Sequence, residues 1–242
     1  MKKEKVQILH QDEAIILVNK PANYLSIPDR YTPDKPNILG YLRQKFGEVF
    51  TVHRLDMETS GIMCFARTAE AHKNLSQQFE SRSVDKIYHC LVDGIPSKPE
   101  GSIDKSIAKN PQRPGKMMVA TKGKKSLTEY RILEKFNNYC LVEANIKTGR
   151  THQIRVHFKA IGHPLMVDPL YGRKDAFFLS ELKLKKYRSN REEAERPLMS
   201  RCTLHAHYLA LDHPVTGARI EMESILPKDF KALLNQLRKW TR

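Results

Sequence analysis

The chain has 242 residues, 40% hydrophobic and 29% charged, enough apolar material for a buried core and too much for a wholly disordered protein. Lys and Arg number 42 against 27 Asp and Glu, a formal net charge of +15 that suits a polyanion, whose phosphates release counterions on binding. The same excess would also serve solubility or an anionic membrane surface. No segment approaches the roughly 20 apolar residues of a membrane span, and Met1 to Lys5 leads into no apolar signal region, so a cytoplasmic protein is expected. Cys64, Cys90, Cys140 and Cys202 are far apart and sit in apolar stretches, which reads as four buried thiols rather than a disulfide framework or a zinc site.

In chain order, Ala14 to Val18 reads as a buried strand stopped by Pro21, and the proline-rich stretch from Tyr24 to Asn37 reads as a loop. Ile38, Leu42 and Phe46 lie at helical spacing, with Gly47 as the stop. Gly61 to Ala66 is a strand. Thr68 then caps a helix that puts Ala71, Leu75 and Phe79 on one face and ends near Ser81. Lys86 to Gly94, Ser126 to Leu133 and Tyr139 to Ile146 carry strand composition. A helix follows, capped by Thr151 and closed by Gly162 and Pro164; its stripe of Ile154, Phe158 and Ile161 leaves His152 and Arg155 on another face. Residues 173–196 read as a charged insertion, either a solvated helix or a mobile loop. A hairpin of Leu204 to Asp212 and Ala218 to Glu223, and an amphipathic helix from Pro227, complete an α+β pattern.

The polar stretch Val52 to Gly61 stands between a helix and a strand, where functional loops are usually placed. On residues alone, Asp56 reads as a turn or capping carboxylate and Tyr88 as a half-buried strand tyrosine. The sequence His53-Arg54-Leu55-Asp56 followed by Thr59-Ser60-Gly61, however, resembles the signature loop of the RluA family of pseudouridine synthases. Lys86-Ile87-Tyr88 leading into Val92-Asp93-Gly94 resembles its second motif. The run Thr148 to His157, with Gly162-His163-Pro164, Asp168 and Tyr171-Gly172, resembles its third, and Leu204-His205-Ala206 and Pro227 also fit.

The resemblance implies an isomerase that converts specific uridines of rRNA or tRNA to pseudouridine. It makes Asp56 the catalytic nucleophile, Tyr88 the aromatic facing the target base and Arg155 the partner of the aspartate. Arg54 would enter the stack that the flipped base leaves. The chemistry needs a carboxylate that is ionised yet shielded from water, which a neighbouring guanidinium favours. Substrate and product are isomers, so no cofactor and no metal are expected. The implied fold is a mixed, largely antiparallel sheet with flanking helices and a central basic active-site cleft. The signature loop begins only about fifty residues into the sequence, so residues 1–242 are expected to form a single catalytic domain without a separate S4 domain. The expected form is a monomer, with structured RNA as partner.

Two other readings bear on the same residues. A non-catalytic RNA-binding or RNA-folding protein would keep the positive face without needing Asp56, Tyr88 and Arg155 together. A metal-dependent hydrolase would use His152, His157, His163, His205 and His207, but His152 and His157 are five residues apart and lack the glutamate of a zincin helix. Lys122 to Lys125 and Lys183 to Arg191 read as solvated faces, or as contacts that position an RNA backbone without reading bases.

Overall fold

The apolar run at Ala14 becomes a strand buried on both faces, and the alternation of its side chains sets the layers around it. The computed structural model describes residues 6–32, 34–183 and 194–241. Its elements are β1 (Gln7–Gln11), β2 (Ile15–Lys20), α1 (Ile38–Phe46), β3 (Phe50–Thr51), β4 (Ser60–Ala66), α2 (Ala69–Ser81) and β5 (Asp85–Asp93). There follow β6 (Glu100–Asp104), β7 (Ile107–Lys109), β8 (Met117–Val119), β9 (Leu127–Lys135), β10 (Tyr139–Ile146) and α3 (Gln153–Ala160). Then come α4 (Ser180–Lys183), β11 (Leu204–Asp212), β12 (Arg219–Glu223) and α5 (Lys228–Trp240). The chain folds as two compact units, Met1–Tyr88 with His205–Ile225, and His89–Leu204 with Leu226–Arg242.

In the first unit β1, β2, β4 and β11 lie side by side, with β12 also on β11 and β3 also on β4. The β4–β11 pairing is parallel, and β1–β2, β2–β4, β3–β4 and β11–β12 are antiparallel. Successive side chains of a strand face opposite ways. Ile15 and Leu17 therefore pack with Ile62, Cys64 and the α2 residues Ala71 and Leu75, whereas Ile16 and Val18 pack with Met63, Phe65 and the α1 residues Ile38, Leu39 and Leu42. The sheet is covered on one face by α2 and on the other by α1. Both helices start as their sequences require: the Asn37 side chain accepts from Gly40 N–H and the Thr68 hydroxyl from Ala71 N–H.

In the second unit the order is β5, β10, β9, β6, with β9 antiparallel to both β10 and β6. The helix α5 lays Phe230, Leu233, Leu234 and Leu237, one stripe at helical spacing, against Leu91, Leu141 and Phe177. The separate hairpin β7–β8 packs Ile107, Met117 and Val119 on Val156 of α3 and on Tyr171. The pattern is the expected α+β one, with a largely antiparallel sheet.

One sequence expectation needs correction. The helix α3 is capped not by Thr151 but by His152, in the left-handed conformation (φ 56°) and without a side-chain cap bond. The Gln153 side chain fastens the turn instead: its oxygen accepts from the Thr148 hydroxyl at 2.7 Å and Arg150 N–H at 3.0 Å, while its amide donates to Leu127 O at 2.9 Å. Arg155 does stand off the stripe of Ile154 and Phe158, but its face is buried too, since α3 is buried from Gln153 to Phe158. Of the charged stretch 173–196, residues 184–193 lie outside the described ones; the part before them holds Phe177, paired to Met199, and α4. The four cysteines are buried thiols that form no disulfide. Among the described residues no helix is long and apolar enough to cross a membrane.

Candidate active site

Asp56 sits in an irregular segment between β3 and β4 whose backbone is fixed from several sides. The residue before it is held by both main-chain groups: Leu55 N–H donates to Ser26 Oγ at 3.0 Å, and the Ser26 hydroxyl donates to Leu55 O at 2.7 Å. The Leu55 side chain is buried with Ile38, Met63 and Phe65. After it, Met57 O accepts from the Lys20 ammonium at 3.0 Å and from Asn23 N–H at 2.9 Å. The fully buried Lys20 also donates to Pro21 O and Tyr24 O, so one cation ties the exit of β2 to the aspartate segment. Asp56 O accepts from Thr59 N–H at 3.1 Å, turning the chain into β4.

Two further contacts anchor the ends of the segment. His53 Nε2 accepts from Cys64 N–H at 3.0 Å and its ring stacks on Phe79 at 4.6 Å between centroids. Burial, with Lys86 adding like charge, drives its pKa down to about 3, so the imidazole is neutral and its proton is on Nδ1. At the other end the Ser60 hydroxyl meets His205 Nδ1 at 3.0 Å, while the opposite nitrogen of His205 contacts Ser224 O at 3.2 Å. A carbonyl only accepts, so Nε2 carries the proton and Nδ1 accepts from Ser60. Gly61 follows with φ 118° and lies so close to β11 that a Cβ there would be 2.1 Å from Ala206 O.

Tyr88, on β5, packs partly buried beside Met63, Phe65 and Ala206. Burial raises the pKa of its phenol above the ordinary value, and the Asp56 carboxylate raises it further. The two residues that the sequence marked as nucleophile and base-facing aromatic are thus brought within electrostatic reach of each other in the first unit. Arg54 is exposed, with no ion pair among the described residues.

Arg155 belongs to the second unit and is almost fully buried, as is Asp168, at 2% and 0% side-chain exposure. The guanidinium donates from Nε to Oδ2 at 2.8 Å and from Nη2 to Oδ1 at 2.6 Å. Burial alone would raise the Asp168 pKa, but Arg155 and the backbone N–H groups of Leu170 and Tyr171 outweigh it and hold the carboxyl below its ordinary range. The Tyr171 ring lies 5.1 Å from the guanidinium carbon. Of the histidines, His157 is fully buried, with its ring nitrogens on Thr128 Oγ1 and Lys105 O at 2.9 Å each, which is a scaffold role.

Sequence reasoning did not assign parts to Ser26, Lys20, Gln153 or Asp168. The partners they bind are distant along the chain or lie on backbone atoms, and neither leaves a local spacing to read. Gln153 and Asp168 stood within the third motif; Ser26 and Lys20 stood in none.

Comparisons with known proteins bear on the family. A family model described as RNA pseudouridylate synthase matches residues 14–160. The ribosomal large subunit pseudouridine synthase D of Pseudomonas aeruginosa is 38% identical over 239 residues, covering 97% of this chain and 72% of its own length. An uncharacterized RNA pseudouridine synthase of Bacillus subtilis, YlyB, is 34% identical over 248 residues, covering 97% and 73%. Among solved structures, human RNA pseudouridylate synthase domain containing 4 superposes with a TM-score of 0.74 at 25% identity, over 96% of this chain and 93% of that one. With its motif residues in a matching fold, the chain belongs to the RNA pseudouridylate synthase family and is an isomerase that converts uridine to pseudouridine in RNA.

Proposed function

We propose that the enzyme acts on uridine in large-subunit ribosomal RNA, with Asp56 as nucleophile, Tyr88 facing the target base and Arg155 supporting the aspartate. The RNA class follows the names of relatives such as the 38% identical Pseudomonas protein. The observation that carries the residue assignment is the anchoring of Asp56: its neighbours Leu55 and Met57 are held by Ser26 and Lys20, and its charge is felt by the Tyr88 phenol. A nucleophile needs that fixity, because misplacement of about 1 Å can cost on the order of 100-fold in rate.

In the reaction the N-glycosidic bond between uracil and ribose breaks, the base turns, a carbon–carbon bond forms from uracil C5 to the same ribose carbon, the hydrogen on C5 leaves as a proton, and the freed ring nitrogen N1 takes up a proton. The Asp56 carboxylate holds the detached fragment covalently, whether it attacks the ring or the sugar, and is regenerated at the end. Atoms balance without a cosubstrate. The base must first leave its stack, at a cost of a few kcal/mol, which the Tyr88 ring and the entry of Arg54 into the vacated space repay. The enzyme works as a monomer in the cytoplasm.

The test is tritium release from RNA labelled at uracil C5, with a chelator present, on ribosomal and transfer RNA separately. Release from large-subunit ribosomal RNA by the wild type, absent with Asp56→Asn at unchanged RNA affinity, is expected. Full release by Asp56→Asn would overturn the assignment of the nucleophile, and release from transfer RNA alone would overturn that of the substrate.

A further inference from the structure

We propose that His205 is a positioning residue for the isomerisation: through the Ser60 hydroxyl it holds the exit of the turn that presents Asp56. This rests on the reading of Asp56 as the nucleophile, and every residue involved belongs to the first unit.

Ser26 clamps the entry to the Asp56 turn and Lys20 holds its middle, but the exit has a fastening of its own. The turn closes on the bond from Thr59 N–H to Asp56 O at 3.1 Å, and the Thr59 hydroxyl, although buried, makes no hydrogen bond among the described residues. One residue later Ser60 opens β4, and its hydroxyl donates to His205 Nδ1 at 3.0 Å. His205 is fully buried on β11 and donates from Nε2 to Ser224 O at 3.2 Å. That carbonyl is fixed in turn, because it also accepts from His207 Nδ1 at 2.9 Å while Ser224 N–H donates to His207 O at 2.7 Å. The imidazole thus joins the aspartate turn to the chain just after β12, with one nitrogen for each side. The parallel pairing of β4 with β11 is brief, Ser60 opposite His205 and Gly61 opposite Ala206, so the side-chain bridge carries much of the alignment there.

The far end of the same strand supplies a comparison. Gln78 of α2 donates to Asp212 O at 2.7 Å and accepts from Asp212 N–H at 2.9 Å, a two-way bridge to β11 that lies outside the aspartate turn. Both bridges steady β11, but the one at His205 also reaches the segment that carries the nucleophile. Loss of either should lower stability, whereas loss of the His205 bridge alone should lower the rate.

The experiment measures single-turnover tritium release, RNA affinity and thermal unfolding for Ser60→Ala, His205→Gln, His205→Asn, the double variant Ser60→Ala with His205→Gln, Gln78→Ala and Asp56→Asn. The RNA is a large-subunit ribosomal transcript tritiated at uracil C5, or whichever class the wild type acts on. The two amides divide the bridge: Asn places an oxygen where Nδ1 accepts from Ser60, whereas Gln places a nitrogen where Nε2 donates to Ser224 O. Ser60→Ala and His205→Gln are expected to lower the rate roughly 100-fold at unchanged RNA affinity, and their double variant to lose no more than either alone, because both remove one device. His205→Asn should stay within about tenfold of the wild type although it is less stable, and Gln78→Ala should lose stability at the wild-type rate. If His205→Gln does not fold, Ser60→Ala decides, since it deletes one hydroxyl and adds no atom. A wild-type rate in folded Ser60→Ala, multiplicative losses in the double variant, or an equal slowing in Gln78→Ala overturns the inference. Full release by Asp56→Asn overturns instead the reading of Asp56 on which it rests.

Discussion

Ser26 closes a two-way clamp on Leu55, accepting its N–H at 3.0 Å and donating to its carbonyl at 2.7 Å, although the two residues are 29 positions apart. The clamp fixes the peptide just before Asp56. Ser26→Ala removes both bonds and leaves a buried N–H and carbonyl unsatisfied, each at about 1–3 kcal/mol. Thermal unfolding should show a loss of a few kcal/mol, and single-turnover tritium release should fall roughly 100-fold as the aspartate loosens, with RNA affinity kept. Loss of stability with an unchanged rate would mean that the clamp serves the fold and not the nucleophile.

Gly61 and Gly162 both have positive φ, 118° and 86°, but only Gly61 meets other atoms at its Cβ position. The backbone of Ala206 on β11 would lie 2.1 Å away, and backbone cannot yield as a flexible side chain can. Gly162→Ala should therefore cost only the conformational term, roughly 1–2 kcal/mol. Gly61→Ala should abolish the β4–β11 pairing and with it soluble, folded protein. Comparable unfolding midpoints for the two variants would show that β11 moves aside at no cost.

The contrast between these glycines also marks what the sequence discloses. Local pattern announces local structure: the apolar run at Ala14, the Thr68 cap and the stripe of α5 all appear where their periodicity puts them. Edge and hairpin strands are less legible. Gln7–Gln11 is partly exposed and mostly polar, and β6, β7 and β8 are three to five residues long, so their pairing is decided by partners and not by composition. Among the proposed functional residues, the motifs marked Asp56, Tyr88 and Arg155 but not what holds them. Ser26 reaches its partner across 29 positions, and Lys20 across 37. Arg155 and Asp168 are 13 apart, beyond the reach of any helical spacing. The expectation for Thr151 failed for a similar reason, because Gln153 finds better partners on β9 than a threonine cap could offer.

His53 makes the fold acid-sensitive. Buried and neutral, it holds a pKa of about 3 in the folded protein, against roughly 6.5 when unfolded. Below about pH 6.5 the unfolded chain takes up a proton that the folded one refuses, so stability is full above that pH and falls as the pH falls toward 3. The slope is about 1.4 kcal/mol per pH unit, or about 2 kcal/mol between pH 6.5 and pH 5. His157, lowered in the same direction by burial, adds to it. Urea unfolding at pH 7 and pH 5 should show this decline in the wild type and a smaller one in His53→Gln, whose side-chain oxygen can still accept from Cys64 N–H. Equal declines in the two proteins would show that His53 takes its proton without unfolding.

Tyr88 separates two ways in which an aromatic can serve this reaction. Its phenol stays protonated through the neutral range, since burial and then the Asp56 charge both push its pKa up, so it cannot act there as a base. What it is proposed to offer the uracil is its ring. Tyr88→Phe keeps that ring among Met63, Phe65 and Ala206, and should stay within about tenfold of the wild-type single-turnover rate. Tyr88→Leu fills the space without a π face and should lose the stacking term of about 1–3 kcal/mol, roughly 5- to 150-fold. A pH–rate profile from pH 6 to pH 9 should show no step that disappears in Tyr88→Phe. Were Phe as poor as Leu, the hydroxyl and its proximity to Asp56 would be the working part; were Leu as good as Tyr, the ring would have no bearing on the base.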